Sequence, residues 1–123
     1  MRFFTTVNPG LDYIEGRKQP PAALMEAMGP YMEKAIASGE LISTAGLKPV
    51  SQGVSIVSRD GKVTTVDGPY AEAKEMIGGY AVIEAPDREA ALRIARDFVD
   101  LHIRHGMVDI SVDVREIEGG YNY

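Results

Sequence analysis

The sequence predicts an α+β domain: a ferredoxin-like sandwich whose largely antiparallel sheet carries two helices on one face. Three observations lead there. The order of segments reads strand, helix, strands, helix, strand. Each helical segment has one apolar stripe and so offers a single face to a sheet. The last strand alternates without exception, Val108, Ile110, Val112 and Val114 interleaving with Asp109, Ser111, Asp113 and Arg115, so its two faces meet different surroundings. At 123 residues the chain suits one domain, residues 1–123, with one core.

Residues 2–8 are β-branched and aromatic and run into Asn8-Pro9-Gly10, which marks a strand stopped by a turn. Residues 9–21 hold three prolines and two glycines without a period and are expected to be loop. From Ala22 to Ser38, Leu24, Met28, Tyr31 and Ala35 recur at three or four, flanked by Met25, Met32 and Ile36, the spacing of an amphipathic helix. Pro30 lacks an amide hydrogen and crowds the carbonyl of residue 26, so a kink is expected there. Gly39 supplies the stop. Leu41 to Leu47 is the next extended run. Val54 to Arg59 and Lys62 to Val66 form a hairpin about Asp60-Gly61, a pair that favours a type I′ turn. Asp67 to Gly79 reads as a structured loop and Tyr80 to Ala85 as a strand ended by Pro86. Asp87 then caps a second helix, with Ala91, Ile94, Ala95, Phe98 and Leu101 on its apolar side and Gly106 at its end.

Composition narrows the function. The net charge is -5, with 45% apolar and 25% charged residues, values of an ordinary globular protein rather than a disordered one. A sequence pI near 5.0 and scattered cations give no phosphate-binding stripe, so no nucleic-acid partner is expected. Zero cysteines exclude disulfides and thiolate chemistry and suit a reducing compartment. The N-terminal residues lack the apolar core of a secretory signal, and no apolar run approaches the ~20 residues that cross a bilayer. A cytoplasmic protein without a membrane partner is the expectation. There is no Gly-x-Gly-x-x-Gly, no phosphate loop and no Gly-x-Ser-x-Gly elbow, which argues against nucleotide and serine-hydrolase chemistry; no cofactor is expected. The helix-free sheet face predicts a homodimer, since a second copy would supply the missing layer.

Val63-Thr64-Thr65-Val66-Asp67-Gly68-Pro69-Tyr70-Ala71-Glu72-Ala73-Lys74-Glu75, followed by Gly78-Gly79-Tyr80, resembles the DGPF branch of the YCII-related family, with Tyr70 where phenylalanine is usual. Gly39 to Pro49 and the closing strand extend the likeness over most of residues 1–117. The resemblance implies a dimeric α+β barrel and no settled activity, though some members are encoded near extracytoplasmic-function sigma factors. Some members of the wider family are dehalogenase-like enzymes for chlorinated muconate-type acids, with a proposed histidine and aspartate pair. Here Pro20-Pro21-Ala22-Ala23-Leu24 has nothing titratable where that histidine sits, so the activity is not carried over, and Asp100 corresponds only loosely to the aspartate.

Two groups of residues are candidates for chemistry. In the loop from Asp67 to Glu75, Asp67 can act as a general base, Tyr70 as a hydrogen-bond donor or stacking surface, and Lys74 as partner of a ligand carboxylate. Equally, Asp-Gly-Pro is a good turn and helix-start sequence in which Asp67 accepts backbone amides. On the last strand, Asp109, Ser111, Asp113 and Arg115 form a polar face; two carboxylates in a partly dry cleft would raise one pKa and suit Asp113 to proton transfer. The bland alternative is a wet dimer surface with Arg115 neutralising a carboxylate. His102 and His105 share a helix face but are read as charge complements to the helix C-terminus, not metal ligands. Met25, Met28 and Met32 are read as core filler. The leading expectation is a homodimer binding a small polar or aromatic metabolite between the sheet face and the Asp67 to Glu75 loop. An acid-base enzyme using Asp67 or Asp113 and a noncatalytic partner in a sigma-factor-linked circuit are the alternatives.

Overall fold

The computed structural model, which describes residues 1–68 and 76–120, contains in chain order β1 (Arg2–Asn8), α1 (Leu11–Ile14), α2 (Ala22–Ala37), β2 (Leu41–Gly46), a 3-10 turn (Val50–Gln52), β3 (Val54–Arg59), β4 (Lys62–Asp67), β5 (Gly79–Glu84), α3 (Arg88–Arg104) and β6 (Ser111–Glu116). Four strands make one antiparallel sheet in the order β2-β5-β1-β6. With the β3-β4 hairpin set aside, this is the strand order of a ferredoxin-like sandwich.

Register decides which side chains share a face. Phe3 lies opposite Ile83, and Thr5 opposite both Ala81 and Val114, so these residues face the helices. Phe3, Leu41, Ile83, Ala85, Ala90 and Ala91 form the buried centre, with Met32, Ala35, Ile94 and Val114 packed against it. A second cluster joins Leu24, Leu101 and Met107 to Tyr13, Met28 and Tyr31. The alternate residues Phe4, Thr6, Tyr80, Val82, Asp113 and Arg115 occupy the opposite face, and no described helix covers it. Phe4 stacks on Tyr80 there at 5.6 Å between ring centroids and is still 38% exposed.

Local chemistry sets the boundaries. Asp87 accepts a hydrogen bond from the Ala90 amide at 2.8 Å and starts α3. Gly39 and Gly106 take positive φ beyond the two long helices, where residues with a Cβ are disfavoured. α2 runs continuously through Pro30, so the proline is carried inside one helix. Asp60 and Gly61 both have positive φ, as the type I′ turn requires.

Several expectations are corrected. Residues 9–21 are not all loop, because Leu11–Ile14 forms a short helix that buries Ile14. The sequence left the place of the hairpin open; among the described residues β3 and β4 pair with each other and with no strand of the main sheet. β5 covers Gly79–Glu84, one residue earlier than expected at each end. The last strand begins at Ser111, not Val108; Val108 is 64% exposed, and Asp109 precedes the strand. The alternation holds from Ser111 onward, where Val112 and Val114 are half-buried and Ser111, Asp113 and Arg115 exposed. Met25 is 58% exposed and therefore not core.

Candidate functional site

α2 packs over the sheet, meeting it at β2, and also touches α3. Between α2 and the sheet lies a cavity of about 470 Å³, inside the range of small-molecule sites. Thr5, Val7, Ala81 and Ile83 form its floor from β1 and β5; Leu24, Met28, Tyr31 and Met32 form its roof from α2; Ile94, Phe98 and His102 form its wall from α3; Tyr13 and Ile14 of α1 close one end. The lining follows from period. Helical residues at three and four spacings on α2 and α3 turn inward, and alternate residues of β1 and β5 meet them. Methionine side chains make the roof adaptable in shape.

Polar groups in this space are few. The Thr5 hydroxyl donates to the Ala81 carbonyl at 3.0 Å, and the Thr44 hydroxyl donates to the Tyr80 carbonyl at 2.8 Å, so both protons are used. His102, only 6% exposed, donates from Nδ1 to the Phe98 carbonyl at 2.8 Å. Its ring packs on Phe98 with centroids 4.5 Å apart. Burial pushes the His102 pKa below 6.5, outweighing the opposite pull of the Phe98 carbonyl. The Tyr31 phenol is pushed above 10.0 by burial first and then by the carboxylates of Asp97 and Glu40. Both groups are therefore neutral at pH 7. This corrects the expectation for His102: it serves the helix end as a neutral hydrogen-bond donor, not as a charge. His105 makes the equivalent bond to the Leu101 carbonyl at 2.7 Å.

The residues singled out in the sequence lie elsewhere. Asp113, Ser111 and Arg115 are exposed on β6, Asp109 is exposed just before it, and Asp67 is exposed at the end of β4; none lines the cavity. Tyr70 and Lys74, with the rest of residues 69–75, lie outside the described residues. The glycines of the motif have a structural reason. A Cβ on Gly68 would overlap the Val50 carbonyl oxygen, and one on Gly79 would come within 2.9 Å of the Ala45 carbonyl oxygen. The Gly68 amide donates to the Gly53 carbonyl at 2.9 Å, closing the base of the hairpin. Nearby, Ser51 donates from its amide and hydroxyl to the Glu15 carboxylate at 3.2 and 2.6 Å, tying the 3-10 turn to α1.

His102 was the residue that sequence reasoning undervalued. It lies four residues after Phe98 and seven after Ala95, so it prolongs the apolar stripe of α3. Among the described residues no group of three His, Asp or Glu side chains is placed to hold a metal ion, and no helix is long and apolar enough to cross a membrane.

Comparison with known proteins places the chain in a family. An uncharacterised protein of Rhizobium meliloti is 26% identical over 93 residues, covering 76% of this chain and 75% of that one. Residues 1–103 match the YCII-related domain, a span that takes in β1 to β5 and nearly all of α3. The chain therefore belongs to the YCII-related family.

Proposed function

We propose that this protein binds a small, mainly apolar or aromatic metabolite in the cavity between α2 and the sheet. The observation that carries the reading is the cavity itself: about 470 Å³, walled by aliphatic, methionine and aromatic side chains, with Tyr31 and His102 as neutral polar groups. That combination of apolar walls and sparse polar anchors is typical of ligand sites. A thermal-shift screen with neutral aromatic and aliphatic metabolites tests it. A ligand at a hundred times its Kd stabilises by about 2.7 kcal/mol, a plain rise in Tm. Ala35→Phe, which fills the lining from α2, is expected to abolish the rise. A screen in which the variant responds as the natural chain does would place binding elsewhere.

The same reading takes the protein as a cytoplasmic homodimer of the DGPF branch, paired through the uncovered sheet face. Supporting it, the single chain exposes 8442 Å², about 2,000 Å² more than the roughly 6,500 Å² expected of a folded monomer of its mass. The excess includes Phe4 on the sheet and the hairpin aliphatics Ile56 and Val63, 73% and 68% exposed. Zero cysteines suit the reducing cytoplasm. The motif from Asp67 to Glu75 and the Gly78-Gly79-Tyr80 run support the branch.

A further inference from the structure

We infer that the cavity selects a neutral aromatic hydroxyl compound, whose O–H donates to Nε2 of His102. This deepens, and rests on, the reading that the space under α2 takes a small molecule. The tautomer comes first. Nδ1 of His102 lies 2.8 Å from the Phe98 carbonyl oxygen, which has no proton to give, so the ring proton is on Nδ1 and Nε2 keeps its lone pair. No described group bonds Nε2. Among the described residues no fully buried side-chain nitrogen or oxygen lacks a partner, so Nε2 is not sealed in protein, and His102 is one of the residues that line the cavity.

Charge and shape narrow the ligand further. Among the described lining residues there is a carboxylate, Glu40, and no lysine or arginine, so a carboxylate or phosphate would lose its hydration without gaining a cation. A neutral donor carries no such cost. Phe98 neighbours both His102 and Tyr31, with ring centroids 4.5 and 6.3 Å away, and this aromatic group offers edges and faces to a planar ring. An acceptor-only ligand of the same outline would leave Nε2 buried and unpaired, and leaving a site's polar group unpaired is the usual source of selectivity for a hydroxyl.

The test uses the full chain with 2-naphthol, 2-methoxynaphthalene and naphthalene as probes, followed by calorimetry and by the 15N resonance of His102 Nε2. The expected result is 2-naphthol binding at least about fivefold tighter than the methoxy compound, with the Nε2 resonance moving for 2-naphthol alone. In His102→Phe that preference is expected to vanish while naphthalene still binds. The resonance in the natural chain serves as the readout should that variant fold poorly. Equal affinity for all three probes with a stationary Nε2 resonance overturns the hydroxyl assignment and leaves the apolar site standing. Failure of all three to bind overturns both.

Discussion

His102 shows how one side chain can be both structural and chemical. Its burial depresses the folded-state pKa below 6.5, so as pH falls through that value the unfolded chain takes up the proton first. The stability associated with His102 is therefore complete above about pH 6.5 and declines as pH falls towards the folded-state value. Urea unfolding at pH 7, 6 and 5 is expected to show that decline, and His102→Gln is expected to flatten it; an unchanged slope would contradict the assignment. Tyr31 has the opposite sign. Its pKa is raised above 10.0, so its contribution is lost as pH climbs through 10, and Tyr31→Phe removes that dependence. At Gly68 the constraint is steric: the neighbour is the Val50 backbone carbonyl, which cannot rotate away as a side chain would. Gly68→Ala should cost roughly 1–3 kcal/mol, measured as a lower urea midpoint.

Elements differ in how far local sequence determines them. α3 carries its own start at Asp87 and its own stripe from Ala91 to Leu101, and the structure follows both. Asp87→Ala is expected to cost about 1 kcal/mol through loss of the Ala90 amide bond. α2 contains a conflict, since Pro30 sits within it and a helix-interior proline costs about 3 kcal/mol or more. Pro30→Ala should raise the melting temperature; a fall would mean that the proline shapes the cavity roof. Alternation made β6 legible from Ser111 onward, but the aliphatic residues Val108 and Ile110 extended the pattern into a segment that pairs with no described strand. A period of two reports only that side chains alternate; a ladder partner is needed to make a strand, and β1 ends its pairing with β6 at Asn8 opposite Ser111. The hairpin shows the same limit. Its turn was written in Asp60-Gly61, whereas its separation from the main sheet depends on contacts far along the chain.

At the scale of the molecule, the sequence revealed a two-layer sandwich and an uncovered sheet face but not the space inside it. Leu24, Met28, Tyr31 and Met32 have the spacing of a buried stripe and belong to the core clusters, yet they also line the cavity; a stripe that lines a cavity has the same period. Only the distance between α2 and the sheet separates the two. The uncovered face carries a prediction of its own: sedimentation at micromolar concentration should give a dimer, and Phe4→Asp, placing a charge beside Tyr80, should give a monomer that remains folded. A natural chain that sediments as a monomer would contradict the pairing. The central claim is that the space beneath α2 receives a ligand. Methyl NMR of the full chain titrated with naphthalene tests it most directly. The account predicts shifts at the methyls of Met28, Met32, Leu24 and Ile83 with Val82 on the far face unmoved; shifts confined to Val82 and its neighbours, or none at all, would contradict it.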